Sequence, residues 1–261
     1  MKNNNHKAGR QLQKMKKLIV QRFIKMVKGK KPDTSASHKR HDGKEGHWLE
    51  TQMGIRHNAS NAPDLYGFEM KNQTGSKTTF GDWSADHYIF KDKSSGISRD
   101  EFLGIFGMPN LEKGMRCSWS GKPCPKVGHY NSCGQTLLID SKNNILAVYN
   151  FQKDTRQNKA IIVPKSMQKK RLVIAKWEAS TMRRKVEKKF NMSGWFQCKK
   201  DTSGCYSEIV FGEPINFDNW IDGVRKGLIF FDSGMYQGNK RPYSQWRADN
   251  RYWEALITSR F

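Results

Sequence analysis

Acid is scarce in this chain: 24 Asp and Glu stand against 47 Lys and Arg, a formal charge of +23 over 261 residues. A surplus of that size repels itself in the compact state and draws polyanions, so nucleic acid is the first candidate partner. An anionic membrane surface is the second, a ribosome-like assembly the third. Long apolar runs are also missing. The longest unbroken one, Ile145 to Tyr149, falls far short of the roughly 20 residues that cross a bilayer, so no membrane span is expected. The opening MKNNNHKAGR never reaches an apolar stretch with a small-residue cleavage site, which argues against a secretory signal. Cysteine is sparse and odd in number: Cys117, Cys124, Cys133, Cys198 and Cys205. A disulfide framework has no support, and a cytoplasmic protein with reduced thiols is the expectation.

Large apolar side chains are what the chain does have. Fourteen Phe, eight Trp and eight Tyr are spread along most of it, which excludes a disordered basic tail. From Arg10 to Lys28 the residues Leu12, Met15, Ile19, Phe23 and Val27 recur at helical spacing, so an amphipathic helix is predicted. Its other face carries Lys14, Lys17, Arg22, Lys25 and Lys28, read either as a solvated surface or as phosphate contacts. After a polar linker at 29–41, Asp42 and Glu45 have the form of a capping box, with Gly54 as the helix stop. Further on, 135–151 reads as a hairpin turning at Lys142-Asn143-Asn144. KAIIVP (159–164) and RLVIAKW (171–177) read as strands, and STMRRKVEKKF (180–190) as a basic helix. A strand at EIVFG, a helix near Trp220 to Lys226, a strand at GLIFFD and a helical tail from Trp246 complete the pass. The mixture predicts an α/β or α+β fold, laid out either as two lobes around a cleft or as one sheet with long insertions.

The stretch APDLYGFEMK (62–71) carries the chemistry. Side chains two apart in a strand share a face, about 6.5–7 Å from one another. Phe68 and Met70 therefore point into packing, and Glu69 and Lys71 share the opposite face, with Asp64 bending back toward it behind Pro63. Two carboxylates and an ammonium in one small volume suit phosphodiester cleavage. Carboxylate oxygens hold Mg²⁺, the metal offsets phosphate charge and acidifies a water, and the lysine positions that water and stabilises the transition state. The backbone carbonyl of Met70 completes the inner shell, and Glu50 enters from the neighbouring helix as a further ligand. The competing reading is a cross-face ion pair of little energetic consequence.

Pro63-Asp64, four intervening residues and Glu69-Met70-Lys71 resemble the PD-(D/E)xK nucleases. The wider segment GHWLETQMGIRHNASNAPDLYGFEMK (46–71) is similar to their MutH-like branch, with Glu50 at the place of its upstream helix glutamate. FFDSGMYQGNKRPYSQWRADNRYW (230–253) resembles the recognition region of the MvaI/BcnI restriction endonucleases. That resemblance implies a restriction-endonuclease-like central sheet flanked by helices, with a second DNA-recognition lobe. It implies a monomer that cuts double-stranded DNA one strand at a time, at a short C/G-rich near-palindrome with a central ambiguous pair, and leaves 5′-phosphate ends. Mg²⁺ is the expected cofactor, with Mn²⁺ able to substitute, and a cognate DNA methyltransferase is expected in the host without being a physical partner. A mismatch-repair nicking endonuclease and a non-catalytic basic nucleic-acid-binding protein are the alternatives.

Residues 1–110 are expected to hold the basic helix and the catalytic lobe, and 111–261 the recognition lobe, with parts of 160–190 returning to the catalytic sheet. Within the tail, Arg241, Arg247 and Arg251 can each form a bidentate bond to guanine O6 and N7, and Asp232 can accept from cytosine N4. Phosphate contacts or pairing with Asp249 and Glu254 are the alternative for each arginine. Tyr236, Tyr243 and Trp246 are expected to position the loop or pack on sugars. Lys176, leaving its strand with Glu178 beyond it, is the candidate second lysine at the cleft. The spacing of Cys117, Cys124, His129 and Cys133 is too wide for a zinc knuckle. His57 and His87 are read as locally satisfied or phosphate-contacting, and Asp82 and Asp86 as caps.

Overall fold

The computed structural model describes residues 2–35, 43–55, 61–72 and 74–261. Asp42 and His57 lie outside them. In chain order come helices α1 (Lys2–Met26) and α2 (Lys44–Met53), then strands β1 (Glu69–Asn72), β2 (Lys77–Asp82) and β3 (His87–Tyr88). Helix α3 (Arg99–Phe106) leads to β4 (Met108–Asn110), β5 (Arg116–Ser118), β6 (Cys133–Ile139) and β7 (Ile145–Asp154). The single turn α4 (Lys159–Ile162) precedes β8 (Leu172–Trp177), α5 (Ala179–Phe190), β9 (Trp195–Lys200) and β10 (Tyr206–Gly212). Helix α6 (Phe217–Arg225), β11 (Ile229–Asp232), β12 (Gln245–Asp249), α7 (Asn250–Ala255) and β13 (Ile257–Arg260) close the order.

These elements form two compact units. The first comprises residues 1–78, 186–216 and 250–261, the second 79–185 and 217–249. A continuous split near residue 110 is therefore not the division that packing makes: residues 79–110 belong with the second unit, and two later segments return to the first.

In the first unit the sheet order is β1-β9-β10-β13. β1 runs parallel to β9, with Glu69 opposite Trp195 and Lys71 opposite Gln197, and the remaining pairs are antiparallel. A parallel pair needs a crossover, and here it is long enough to contain residues 79–185 of the second unit. The core is one cluster in which Ile19, Phe23 and Val27 of α1 meet Leu49 and Met53 of α2 and Phe68, Met70, Phe196 and Phe211 of the sheet. The helical spacing of the first three residues thus buries one stripe of α1, while Lys14, Lys17, Arg22, Lys25 and Lys28 stay exposed.

The second unit is organised around tryptophan. Trp119, Trp177, Trp220 and Trp246 are fully buried and meet one another and Phe231 largely edge to face, with Trp177 and Trp246 5.5 Å apart. Such T-shaped contacts add to area burial. Two sheets supply the walls, β11-β12-β2 and β3-β8-β7-β6, with β4-β5 a separate pair. The β6–β7 hairpin turns where expected. Asp140 Oδ1 accepts from the amides of Lys142 and Asn144, and Asn143 takes a positive φ of 65°, an Asx-stabilised turn.

Three local expectations are corrected. The helix after the linker is capped at Gly43, with no side-chain cap bond, although Gly54 ends it in the left-handed conformation as expected. KAIIVP forms a helical turn: Lys159 Nζ donates to the carbonyls of Phe151 (3.0 Å) and Asp154 (2.7 Å), which folds the segment back on the end of β7. The tail is strand, short helix and strand. Trp246 and Ala248 point inward from β12 with Arg247 between them, a period of two, and Ile257 to Arg260 add an edge strand against β10.

Candidate active site

The site begins with a turn. The amides of Asp64 and Leu65 both donate to the carbonyl of Phe68, and the Phe68 amide returns to Leu65. Tyr66 and Gly67 between them have φ of 51° and 82°, the pair of positive values a tight type I′ reversal requires. Gly67 is further constrained because a Cβ there would lie 2.7 Å from Met192 Sδ and Ser193 Oγ. The reversal carries Asp64 back alongside β1, where its Oδ2 accepts from the Met70 amide at 2.9 Å. Four residues between the aspartate and the glutamate are what this turn takes up.

On β1 the alternation holds. Phe68 and Met70 enter the hydrophobic cluster, and Glu69 and Lys71 are buried at 2 % and 8 % exposure. Lys71 Nζ donates to Glu69 Oε1 at 2.8 Å. A second ammonium, Lys189 Nζ from α5, reaches the same oxygen at 3.1 Å. The Lys71 ammonium also stands 5.0 Å from the centre of the Phe190 ring, a cation–π contact that shields one side of it. The other oxygen, Glu69 Oε2, is buried with no hydrogen-bond partner.

Charge is held here against its preference. Burial, and then the negative charge of Glu69, push the Asp64 carboxyl up to about 7. Burial holds the Lys71 ammonium below the usual lysine range, opposed chiefly by Glu69. Two adjacent carboxylates, one carrying an unpartnered buried oxygen, form a hard-oxygen donor set that a divalent cation would satisfy. The donors present therefore fit the Mg²⁺ expected from the sequence.

The sequence-predicted residues separate between the units. Asp64, Glu69, Met70 and Lys71 come together as described, joined by Lys189, which the sequence reading missed. Glu50 lies half-buried in α2 of the same unit. Among the described residues no three His, Cys, Asp or Glu side chains are grouped to hold a metal. Arg251 is exposed on α7 of the first unit. Lys176 belongs to the second unit and pairs with Glu178 at 3.2 Å; the second lysine beside the acids is Lys189. Also in the second unit, Arg241 pairs with Asp82 (2.7 Å) and lies 4.5 Å over the Tyr243 ring. Arg247 Nε lies 3.4 Å from Asp232, and the Arg116 guanidinium stands 3.5 Å over the Tyr236 ring. Asp82 accepts from the Ser244 amide (2.7 Å), and Asp86 accepts from the amide of Glu178 (2.8 Å), which immediately precedes α5, so that Asp86 caps the start of that helix.

An aspartate returned by a turn, then a glutamate and a lysine on one strand of a helix-backed mixed sheet, is the arrangement that the resemblance to the PD-(D/E)xK nucleases leads one to expect. Comparison with known proteins narrows this. The model of the LlaMI restriction endonuclease family matches residues 27–261. The chain is 48% identical to the type II restriction enzyme ScrFI of Lactococcus lactis subsp. cremoris, over 93% of this chain and 97% of that protein. The structure of restriction endonuclease MvaI with cognate DNA substrate shares the fold, with a TM-score of 0.54 at 12% identity, over 85% of this chain and 89% of that one. The chain belongs to the LlaMI restriction endonuclease family and is a type II restriction endonuclease. Among the described residues no helix is long and apolar enough to cross a membrane.

Proposed function

We propose that this chain hydrolyses phosphodiester bonds of double-stranded DNA with Mg²⁺ as cofactor, using Asp64, Glu69 and Lys71. The observation that carries the reading is the buried Glu69 carboxylate, with Oε1 held by Lys71 and Lys189 and Oε2 unpartnered beside Asp64. Asp64, Glu69 and the Met70 carbonyl would hold the ion, and Glu50, in α2 of the same unit but not grouped with the two acids, would reach it through a water. When bound, the ion offsets charge on the scissile phosphate and makes a nearby water more acidic. Mn²⁺ substitutes for it.

The side chains do the rest. Glu69 Oε1 fixes the Lys71 ammonium, so that Lys71 can donate to the attacking water and to a phosphate oxygen as negative charge builds there. Lys189, 17 % exposed and tied to the same oxygen, supplies a second positive charge on the phosphate. The Phe190 ring keeps bulk water from Lys71, which strengthens both effects. Water attacks phosphorus, the bond to the 3′ oxygen breaks, and the products carry a 5′-phosphate and a 3′-hydroxyl.

Affinity comes from the charge surplus, with the exposed bases of α1 among the groups that track the backbone and a steep loss of binding with salt. The residues that contact DNA, by base edge, sugar or phosphate, are drawn from Asp232, Tyr236, Arg241, Tyr243, Arg247, Arg251 and Lys176. The family resemblance supports a cytoplasmic monomer cutting one strand at a time at a short C/G-rich near-palindrome, protected in its host by a separate methyltransferase. Digestion of plasmid or phage DNA by purified protein with Mg²⁺ tests the reading. Discrete fragments with mappable 5′-phosphate ends are the expected result. Binding without cleavage under every divalent metal overturns it, and nicks confined to mispaired or hemimethylated sites point to repair instead.

A further inference from the structure

In the second unit, residues 233–244 join β11 to β12 with no strand or helix of their own beyond a single bridge of Tyr236 to Ser118, and the segment is tied down by buried groups. Ser233 is fully buried and accepts from the Met235 amide at 3.0 Å. Asn239, 5 % exposed, accepts from the Tyr236 amide at 2.6 Å. Ser84 Oγ donates to the Pro242 carbonyl at 2.8 Å. Structureless connections of this length are uncommon in compact domains, and the ordered ones are usually functional.

Two arginines flank the end of this segment in contrasting states. Arg247 is enclosed: Nε donates to Gln245 Oε1 at 2.8 Å, Nη2 reaches the same oxygen, and Asp232 lies 3.4 Å from Nε. Its side chain is 25 % exposed. Arg241 is 56 % exposed and is held from one side, by Nη2 on Asp82 Oδ2 at 2.7 Å. The guanidinium carbon lies over the Tyr243 ring, 4.5 Å from its centre. Among the described residues no second hydrogen-bond partner contacts Arg241, which leaves Nε and Nη1 free. Asp82 is itself fixed, because its other oxygen accepts from the Ser244 amide at 2.7 Å.

We propose that Arg241 is the guanine-reading side chain of this segment and that Asp82 is the residue that positions its fork. The inference rests on the sequence-specific nuclease reading and deepens it. A guanidinium reads guanine through two parallel N–H bonds to O6 and N7, so its plane has to be set before the base arrives. The contact with the Tyr243 ring and the ion pair with Asp82 hold the guanidinium from two sides while leaving donors unused. Arg247, whose donors are already turned to Gln245 and Asp232, braces the strand.

The test uses the full-length protein, Mg²⁺ and a duplex carrying the target mapped from fragment ends, with each guanine replaced singly by the analogue lacking N7. Wild-type cleavage should fall about 10-fold or more at the guanine read by a bidentate arginine. Arg241→Lys, which keeps the charge and loses the fork, should show no further loss at one such position and the wild-type losses at the others. Asp82→Asn, which keeps an acceptor for the Ser244 amide, should shrink the penalty at that same position and at no other. A purely structural role moves all positions together and overturns the proposal, as does an Arg241→Lys profile identical to wild type. A wild-type enzyme that cuts no DNA instead overturns the nuclease reading beneath it.

Discussion

In the second unit the buried carboxylate of Asp154 accepts from Tyr149 Oη at 2.9 Å and from Nε and Nη2 of Arg156 at 3.0 and 2.7 Å. The same guanidinium caps the Ile105 carbonyl at 2.9 Å. In the first unit the equally buried Glu69 carboxylate has one oxygen crowded by two ammonium groups and the other without a partner. Both units bury acid, and the difference lies in completion. A closed network offsets the desolvation of its buried charge with hydrogen bonds and fixes a strand end; an open one leaves a buried oxygen for a later arrival to satisfy. The partners' pKa values tell the same story. Hydrogen bonds from Arg156 hold the Asp154 carboxyl below the usual range although burial, the largest influence, opposes them. Asp64 beside Glu69 is pushed the other way.

Substitutions can break this contrast. The largest effect is expected from Lys71→Ala, which should lower single-turnover cleavage about 10³-fold while a binding assay in Ca²⁺ still detects a DNA complex; cleavage at the wild-type rate would remove Lys71 from the mechanism. Next, Asp154→Ala leaves the Arg156 charge buried and uncompensated, so urea unfolding should show a loss of about 3 kcal/mol. A change under 1 kcal/mol would mean that the network is not closed in solution.

Smaller still, Lys189→Met should slow cleavage about 10- to 100-fold, because Lys71 remains on Glu69 to carry part of the charge stabilisation. The test is a comparison with the double variant: losses that multiply would show that the two lysines act independently.

The smallest effect sharpens the comparison most. Asp64→Asn removes a repulsion and keeps an acceptor for the Met70 amide, so the metal-free variant should be inactive yet more stable than wild type by about 1 kcal/mol at pH 8. Because the folded-state pKa of Asp64 is raised from 3.8 to about 7, the wild type keeps its full stability below pH 4 and loses some as pH rises toward 7. The gap between wild type and variant should therefore open across that window and stay level above it. Mg²⁺ should narrow it by binding the folded wild type. Parallel pH curves from thermal unfolding would disprove the account.

The candidate motif was legible because one turn and one strand contain it. Spacing told that Asp64 returns to a strand whose odd and even residues face opposite ways, and both features hold. Lys189 was illegible for the opposite reason: it reaches Glu69 from a helix far along the chain, in a run of lysines that gives no sign which one turns inward. KAIIVP misled because its β-branched residues suit a strand, whereas a lysine head group on two carbonyls decides the outcome. The tail carried mixed periodicities, and its strands form only by pairing with β10 and β11, contacts that local pattern cannot report. Glycine at positive φ explains why the helix ending at Gly54 was readable, and a start at Gly43, which has no side chain to cap with, explains why its beginning was not.

The crossover from β1 to β9 bears on how a cell lives with such a protein. A ribosome that has delivered Asp64, Glu69 and Lys71 must still make residues 79–185 before Lys189 and the strand that lies beside β1 emerge. Vectorial synthesis folds early segments first, but here the early segment lacks its neighbour. On the proposed reading, each nascent polypeptide completes the arrangement around Glu69 only late in translation, once Lys189 and the strand beside β1 have emerged.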